Sequence, residues 1–187
     1  MVHIPRFRST RAVWMFQELK ALYGGSMPDL EITSFSDIPS FRSNKPQWLL
    51  DMNPNGKVPS MSYGDIVMFE GGAICSFFLH CFDKENKILP KDPAGVALYY
   101  QMVSWSASTV DNLTATSSEL NIVLDKSLPR PRPMDDVATN QKYFDEIYTP
   151  FLMKVLTKSK GEYLYGDSFS AADVIVGYTL MTAAEKM

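Results

Sequence analysis

The chain has 187 residues, 45% of them hydrophobic and 12% aromatic, with a formal net charge of −3. This is enough for one large domain or two small ones, and it is apolar enough for a packed core rather than a disordered chain. No long basic run offers a nucleic-acid-binding face, and no stretch approaches the roughly 18 consecutive apolar residues of a membrane span. The N-terminus lacks a basic-then-apolar signal, so the cytosol is the default compartment. Cys75, Cys81, His3 and His80 are not spaced as a metal site of several protein ligands, and no metal is expected.

Val2–Ile4 reads as a strand. From Arg11 to Leu22, Val13, Phe16, Leu19 and Leu22 recur at helical spacing, and Gly24-Gly25 ends that helix. Leu30–Ser34 reads as a second strand, which makes a βαβ unit with a parallel pair. Residues 35–57 carry Pro39, Pro46 and Pro54 and read as irregular. Val58–Met61 and Ile66–Phe69 flank Ser62-Tyr63-Gly64-Asp65, a hairpin signal. Gly71–Phe82 reads as a helix.

The polar, proline-bearing stretch 84–92 divides the chain into a domain of residues 1–83 and a domain of residues 93–187. No strand pattern follows it. Pro93 opens a long amphipathic helix reaching toward Leu113. Three prolines in Ser127–Met134 form a stiff connector or a polyproline ligand. Asp135–Lys158 is helical again, kinked or interrupted at Pro150. A last helix starts at Ser170, with Asp173 three residues on as a short-armed capping box. Asn112-Leu113-Thr114 matches a glycosylation sequon, idle without secretion.

Three segments carry candidate chemistry. In "FRSTRAVW", Phe7 to Trp14, the hydroxyls of Ser9 and Thr10 stand at the mouth of a helix, where they either act on a ligand or cap the helix. In "NPNGKVPSM", Asn53 to Met61, Asn55-Gly56 makes a tight turn and Pro59 enters a strand. That is either an ordinary turn or, with a cis bond before Pro59, a place where an extended ligand pairs with the Val58 backbone. In "MFEGGAI", Met68 to Ile74, Glu70 stands where a strand gives way to a helix. The helix N-terminus attracts a carboxylate and Glu70 an ammonium, the two charges of an amino-acid group; otherwise Glu70 only satisfies the helix start.

In order, "STRAVWMFQEL", "NPNGKVPSM", "FEGGAI", "YYQMVSWSASTVDNL" and "GDSFSAADVIVGYTL" resemble the cytosolic glutathione transferases, in their bacterial and fungal-type pattern, over residues 2–183. The resemblance implies an α/β, thioredoxin-like N-terminal domain followed by an all-α helical-bundle C-terminal domain. It implies glutathione as co-substrate, a hydrophobic electrophile as partner, and a homodimer. Carried over by position, Val58 pairs with the cysteinyl backbone beside a cis Pro59. Glu70 and the Gly71 N–H hold the γ-glutamyl end, and Lys57 and Lys45 face the glycine carboxylate. Tyr100, Trp105 and Ser108 are candidates to line the electrophile pocket, with the hydrophobic core as the other reading of such spacing.

Three departures stand out. Gly71 replaces the family's usual Ser. Phe7 occupies the position of the thiol-activating hydroxyl, so Ser9 or Thr10, or a backbone N–H with help from Arg8, would have to substitute. The chain stops about one helix into the "SAADV" segment, which reads as a truncated C-terminal domain. The implied reaction is conjugation of the glutathione thiolate to electrophiles, as in detoxification. The alternatives are a non-catalytic binding or regulatory module of the same fold, and a glutathione-dependent peroxidase or isomerase.

Overall fold

The computed structural model describes residues 1–111, 139 and 141–186. The sequon at Asn112 and the proline connector Ser127–Met134 lie outside the described residues. The chain divides into two compact units, Met1–Lys87 and Ile88–Met187.

The first unit is built on a four-stranded sheet of order β2-β1-β3-β4. β1 (Val2–His3) and β2 (Thr33–Ser34) are parallel, in the register Val2↔Thr33 and His3↔Ser34, and are joined through α1 (Thr10–Tyr23). β3 (Ser60–Tyr63) runs antiparallel to β1 with Val2 opposite Ser60, and hairpins into β4 (Ile66–Phe69) through Gly64, whose φ of 57° suits the turn. Helix α4 (Gly71–Phe82) follows without a gap for a loop. This is the expected thioredoxin-like unit.

Residues 35–57 are less irregular than the prolines imply. They hold two helices of six residues each, α2 (Ile38–Ser43) and α3 (Gln47–Met52). Both are too short to show a 3.6-residue period in sequence. Asp37 starts α2 by accepting the Ser40 N–H at 3.0 Å. Val2 of β1 and Ile4 just past its end, two apart and so on one side of the chain, bury themselves against Phe41 and Leu49 of these helices; Phe7, Phe35, Met52 and Val58 pack around that cluster. Helices α1 and α4 pack on each other through Phe16 and Phe78, edge to face at 5.3 Å.

The second unit is helical. Asp92 caps α5 (Pro93–Trp105), accepting the Ala94 and Gly95 N–H groups at 3.0 Å each. The expected regular helix widens at Ser106–Val110 into a π-helical turn. A second π turn, Phe144–Tyr148, precedes α6 (Thr149–Ser159). Pro150 therefore sits in the first turn of α6, where its missing N–H costs nothing, rather than kinking a longer helix. Before α7 (Ala171–Lys186), Asp173 accepts the Ser170 N–H at 2.8 Å and the Leu164 N–H at 2.9 Å, which is the reaching-back half of the capping box. Among the described residues no helix is long and apolar enough to cross a membrane, and no group of three or more His, Cys, Asp or Glu could hold a metal ion.

Candidate functional site

The register brings four chain segments to one edge of the sheet. β1 and β2 both end there, and antiparallel pairing makes β3 begin and β4 end there. Residues 4–8, 35–37, 57–59 and 70–71 therefore line one edge, the place where parallel strands present their carboxyl ends to ligands.

Three of these segments touch. A Cβ placed on Gly71 would lie 3.6 Å from the Arg8 carbonyl oxygen and 3.6 Å from Cγ of Pro59. The Val58–Pro59 bond is cis, as the motif implies. Among the described residues no hydrogen bond engages the Val58 N–H or C=O, so that backbone is available to an extended ligand. Its side chain is anchored in the cluster that also holds Phe7.

A polar scaffold beneath the loop fixes this segment. Asn53 is buried; its Nδ2 donates to the Lys57 carbonyl at 3.1 Å and to Ser60 Oγ at 3.0 Å, and its Oδ1 accepts the Asn55 N–H at 3.0 Å. Ser60 Oγ in turn donates to the Lys57 carbonyl at 2.9 Å. Sequence reasoning read Asn53 only as part of a turn. The signal for more was an Asn two residues before Asn-Gly, the spacing of an Asx turn. Above the same turn lies Lys45, whose amine reaches the Asn55 carbonyl at 3.5 Å. Gly56 has φ of 56°, which favours glycine, and a Cβ there would meet Lys45 Cδ at 2.5 Å and push that side chain aside. Lys57 itself is exposed.

Glu70 is exposed at the N-terminus of α4, with φ of 76°, and caps nothing with its side chain. A non-glycine residue in that region is strained by about 1–3 kcal/mol. The strain aims a carboxylate outward at a helix N-terminus and leaves the Gly71 N–H beside it.

The two hydroxyls at α1 differ sharply. Ser9 is fully buried; its Oγ lies 2.9 Å from His3 Nδ1, accepts the Ile4 N–H at 3.1 Å and donates to the Ile4 carbonyl at 3.1 Å. It makes no cap bond. Thr10 Oγ1 is also buried, yet has no hydrogen-bond partner. Neither hydroxyl caps the helix. Phe7 is held by the apolar cluster, and its carbonyl accepts the Thr10 N–H at 2.8 Å.

No family model matches the chain. It is 28% identical over 134 residues to a glutathione S-transferase of Hyoscyamus muticus, covering 70% of this chain and 60% of that one. It is 29% identical over 147 residues to glutathione S-transferase hmp2 of Hypomyces subiculosus, covering 74% and 64%. Its fold matches a glutathione transferase homologue from Sulfitobacter, solved with bound glutathione, at a TM-score of 0.74 and 19% identity over 99% of this chain and 82% of that one.

This chain is similar to the glutathione S-transferases. The matches span 55–64% of the length of the first curated relatives.

The glutathione-transferase candidates of the first unit thus fall on one edge: Glu70 and Gly71 at its β4 end, Val58 and Pro59 next to them at the start of β3, with Lys57 and Lys45 on the adjoining turn. Those of the second unit differ in exposure. Tyr100 is 53% exposed, and Ser108 is exposed with its hydroxyl given to the Ser104 carbonyl at 2.7 Å. Trp105 packs on Tyr148 and Phe151, with ring centroids 5.7 and 5.1 Å away. Cys75 and Cys81 are free thiols on α4; burial pushes the Cys75 thiol up to about 12, against a smaller opposing effect of Arg11.

Proposed function

We propose that the chain is a glutathione transferase that conjugates the glutathione thiolate to electrophilic small molecules, the chemistry of detoxification. The observation that carries this is the approach of Arg8 and Pro59 to Gly71, where an added Cβ would lie 3.6 Å from each, beside an exposed Glu70 and an unengaged Val58 backbone. In this reading the cysteinyl backbone pairs with Val58. The γ-glutamyl carboxylate takes the Gly71 N–H, its ammonium faces Glu70, and the glycine carboxylate faces Lys57 and Lys45. The thiol then lies toward the start of α1.

Activation is a question of magnitude. Lowering a thiol pKa from about 8.5 by about 2 units takes roughly 2.7 kcal/mol. One hydrogen bond to a charged acceptor supplies about 1.5–3 kcal/mol, and a helix N-terminus about 0.3–1 kcal/mol. A single hydroxyl is therefore enough. Ser9 is committed to His3 and Ile4, so in this reading Thr10, whose buried Oγ1 has no partner, turns out toward the ligand and donates to the sulfur. The thiolate lone pair attacks the electrophilic carbon and forms a C–S bond. The electron pair leaves with the displaced group or settles on the acceptor.

The chain acts as a homodimer in this proposal. Tyr63, Ile66, Val67 and Phe69 are all exposed on the hairpin that ends the sheet at β4, and an apolar edge strand of that kind calls for cover.

Phe7 supports a second reading, a glutathione-binding module without catalysis, since a phenyl ring donates no hydrogen bond. One experiment separates them. Retention on immobilised glutathione with turnover of an aryl halide, and a bound thiol that ionises about 2 units below the free one, supports the enzyme. Retention with an unshifted thiol supports the module. Well-folded protein with neither retention nor turnover overturns both.

A further inference from the structure

Beside the site, on the β2 flank of the same sheet edge, lies a cavity of about 330 Å³. Phe35 and Phe41 form one wall, their rings 4.6 Å apart, and both belong to the cluster that holds Phe7 and Val58. Ser36, Asp37, Ser40 and Asn44 supply the polar groups. Asp37 gives one carboxylate oxygen to the Ser40 N–H at 3.0 Å. Among the described lining residues its carboxylate is the only charge. The size falls in the range of small-molecule sites, and the mix of aromatic wall and convergent polar groups is typical of them.

The cavity adjoins one end of the proposed glutathione track. Asn44 and Pro46 line it on either side of Lys45, whose amine lies over the Asn55–Gly56 turn. The strand order sets the opposite end at Glu70–Gly71, on the far side of β1 and β3. Three strand spacings of about 4.8 Å make roughly 14 Å from the β4 end to the β2 end. An extended α-linked tripeptide covers about 10 Å, and the γ-glutamyl linkage adds two methylene carbons to the path, so the peptide spans roughly 12–13 Å. With its first residue at Gly71, its third ends near the lysines, beside the cavity. Glycine leaves the cavity empty; a side chain would enter it while the carboxylate stays on the lysines.

We propose that the cavity is a specificity subsite for the third residue of the thiol peptide, selecting γ-glutamyl-cysteinyl tripeptides with a neutral polar or cationic side chain over those with an acidic one. This rests on the glutathione-binding reading above and refines its substrate.

The test compares the binding of glutathione, γ-Glu-Cys-Ser, γ-Glu-Cys-Lys and γ-Glu-Cys-Glu by calorimetry. The serine and lysine peptides bind at least as tightly as glutathione, and the lysine peptide binds tenfold or more tighter than the glutamate peptide. Asp37→Asn keeps the α2 cap, since Asn and Asp cap equally well. It collapses the lysine-over-glutamate ratio and leaves glutathione binding unchanged. Ser40→Leu, which fills the cavity, weakens the serine and lysine peptides severalfold but not glutathione. If glutathione binds and all three longer peptides bind equally weakly, this inference falls and the glutathione reading stands. If the folded protein binds none of the four, both fall.

Discussion

Ser9 Oγ lies 2.9 Å from His3 Nδ1, beneath the first turn of α1, while Thr10 Oγ1 one residue on has no partner at all. Adjacent hydroxyls that look equivalent in sequence are therefore opposite in substitution. Ser9→Ala leaves the Ile4 N–H and carbonyl without their local partner, and costs about 1–3 kcal/mol. Thr10→Val removes a hydroxyl that bonds nothing, with stability unchanged within about 1 kcal/mol or raised. On the thiol the order reverses: Thr10→Val raises the pKa of bound glutathione by about 1–2 units, an effect of one charge-assisted hydrogen bond, and Ser9→Ala does not. Denaturant melts and the ultraviolet absorbance of bound thiolate across pH measure the two. A thiol that shifts with Ser9 and ignores Thr10 overturns the assignment.

His3, half-buried beside Ser9, has its imidazolium disfavoured by desolvation, so its pKa lies below the usual histidine value. The fold prefers the neutral ring. Its contribution is complete above about pH 6.5, the unfolded value, and is lost as pH falls through the lower folded value. The denaturation midpoint is therefore expected to fall from pH 7.5 to pH 5. His3→Gln, which cannot titrate, is expected to show less of that fall; an equal pH dependence in wild type and variant would remove His3 as its source.

Gly71→Ser follows from the space around it. A Cβ there meets the Arg8 carbonyl oxygen and Pro59 at 3.6 Å, ordinary contact distances, and Gly71 has no left-handed φ to forbid a side chain. The added hydroxyl supplies one hydrogen bond to the γ-glutamyl carboxylate, about 0.5–1.5 kcal/mol, or roughly 2- to 12-fold in glutathione affinity. Isothermal titration reads this directly, and weaker binding by a stably folded Gly71→Ser would place the γ-glutamyl end elsewhere.

The local patterns that sequence exposes are those with a strong period or a specific turn residue. Helices α1 and α4, the Gly64 hairpin and the Asp173 box belong to that class. Helices α2 and α3 were invisible because six residues hold less than two turns, and three prolines argue for loop unless Pro39 and Pro46 are seen at helix starts and Pro54 just past a helix end. The same limit applies at the site. Val58, Pro59, Glu70 and Gly71 are named by motif, and the edge they share follows from strand order. Whether a hydroxyl is spent or available is set by contacts such as Ser9 with His3 and Ile4, which no spacing rule encodes.

Asn53 holds the loop of Asn55 to Val58 from below through the Lys57 carbonyl, Ser60 and the Asn55 N–H. Asn53→Ala leaves buried groups unpaired, costing about 1–3 kcal/mol. Because Lys57 and Val58 are positioned by those bonds, glutathione affinity falls tenfold or more even at temperatures where the variant is fully folded. Ser60→Ala removes one bond to the same carbonyl and is milder in both respects. Circular-dichroism melts paired with binding titrations test this. Full affinity in folded Asn53→Ala would mean the loop holds its shape without the scaffold.

The two cysteines test the packing of α4. Cys75 is fully buried and its thiol is pushed up to about 12 by desolvation, whereas Cys81 is partly accessible. Alkylation proceeds through the thiolate, so at pH 8 iodoacetamide labels Cys81 in the native protein and leaves Cys75 unmodified, while both react in denaturant. The same shift has a stability consequence. An unfolded thiol ionises near pH 8.5, whereas the folded Cys75 stays protonated to much higher pH. Its protonated form holds the fold fully below pH 8.5, and this contribution is lost as pH rises toward 12. Cys75→Ala flattens the alkaline limb of the stability curve but leaves a cavity on α4 that lowers stability at neutral pH. Mass spectrometry of labelled peptides and denaturant midpoints from pH 7 to pH 10 measure these effects. Rapid native labelling of Cys75 would mean that α4 opens locally far more readily than its packing against α1 implies.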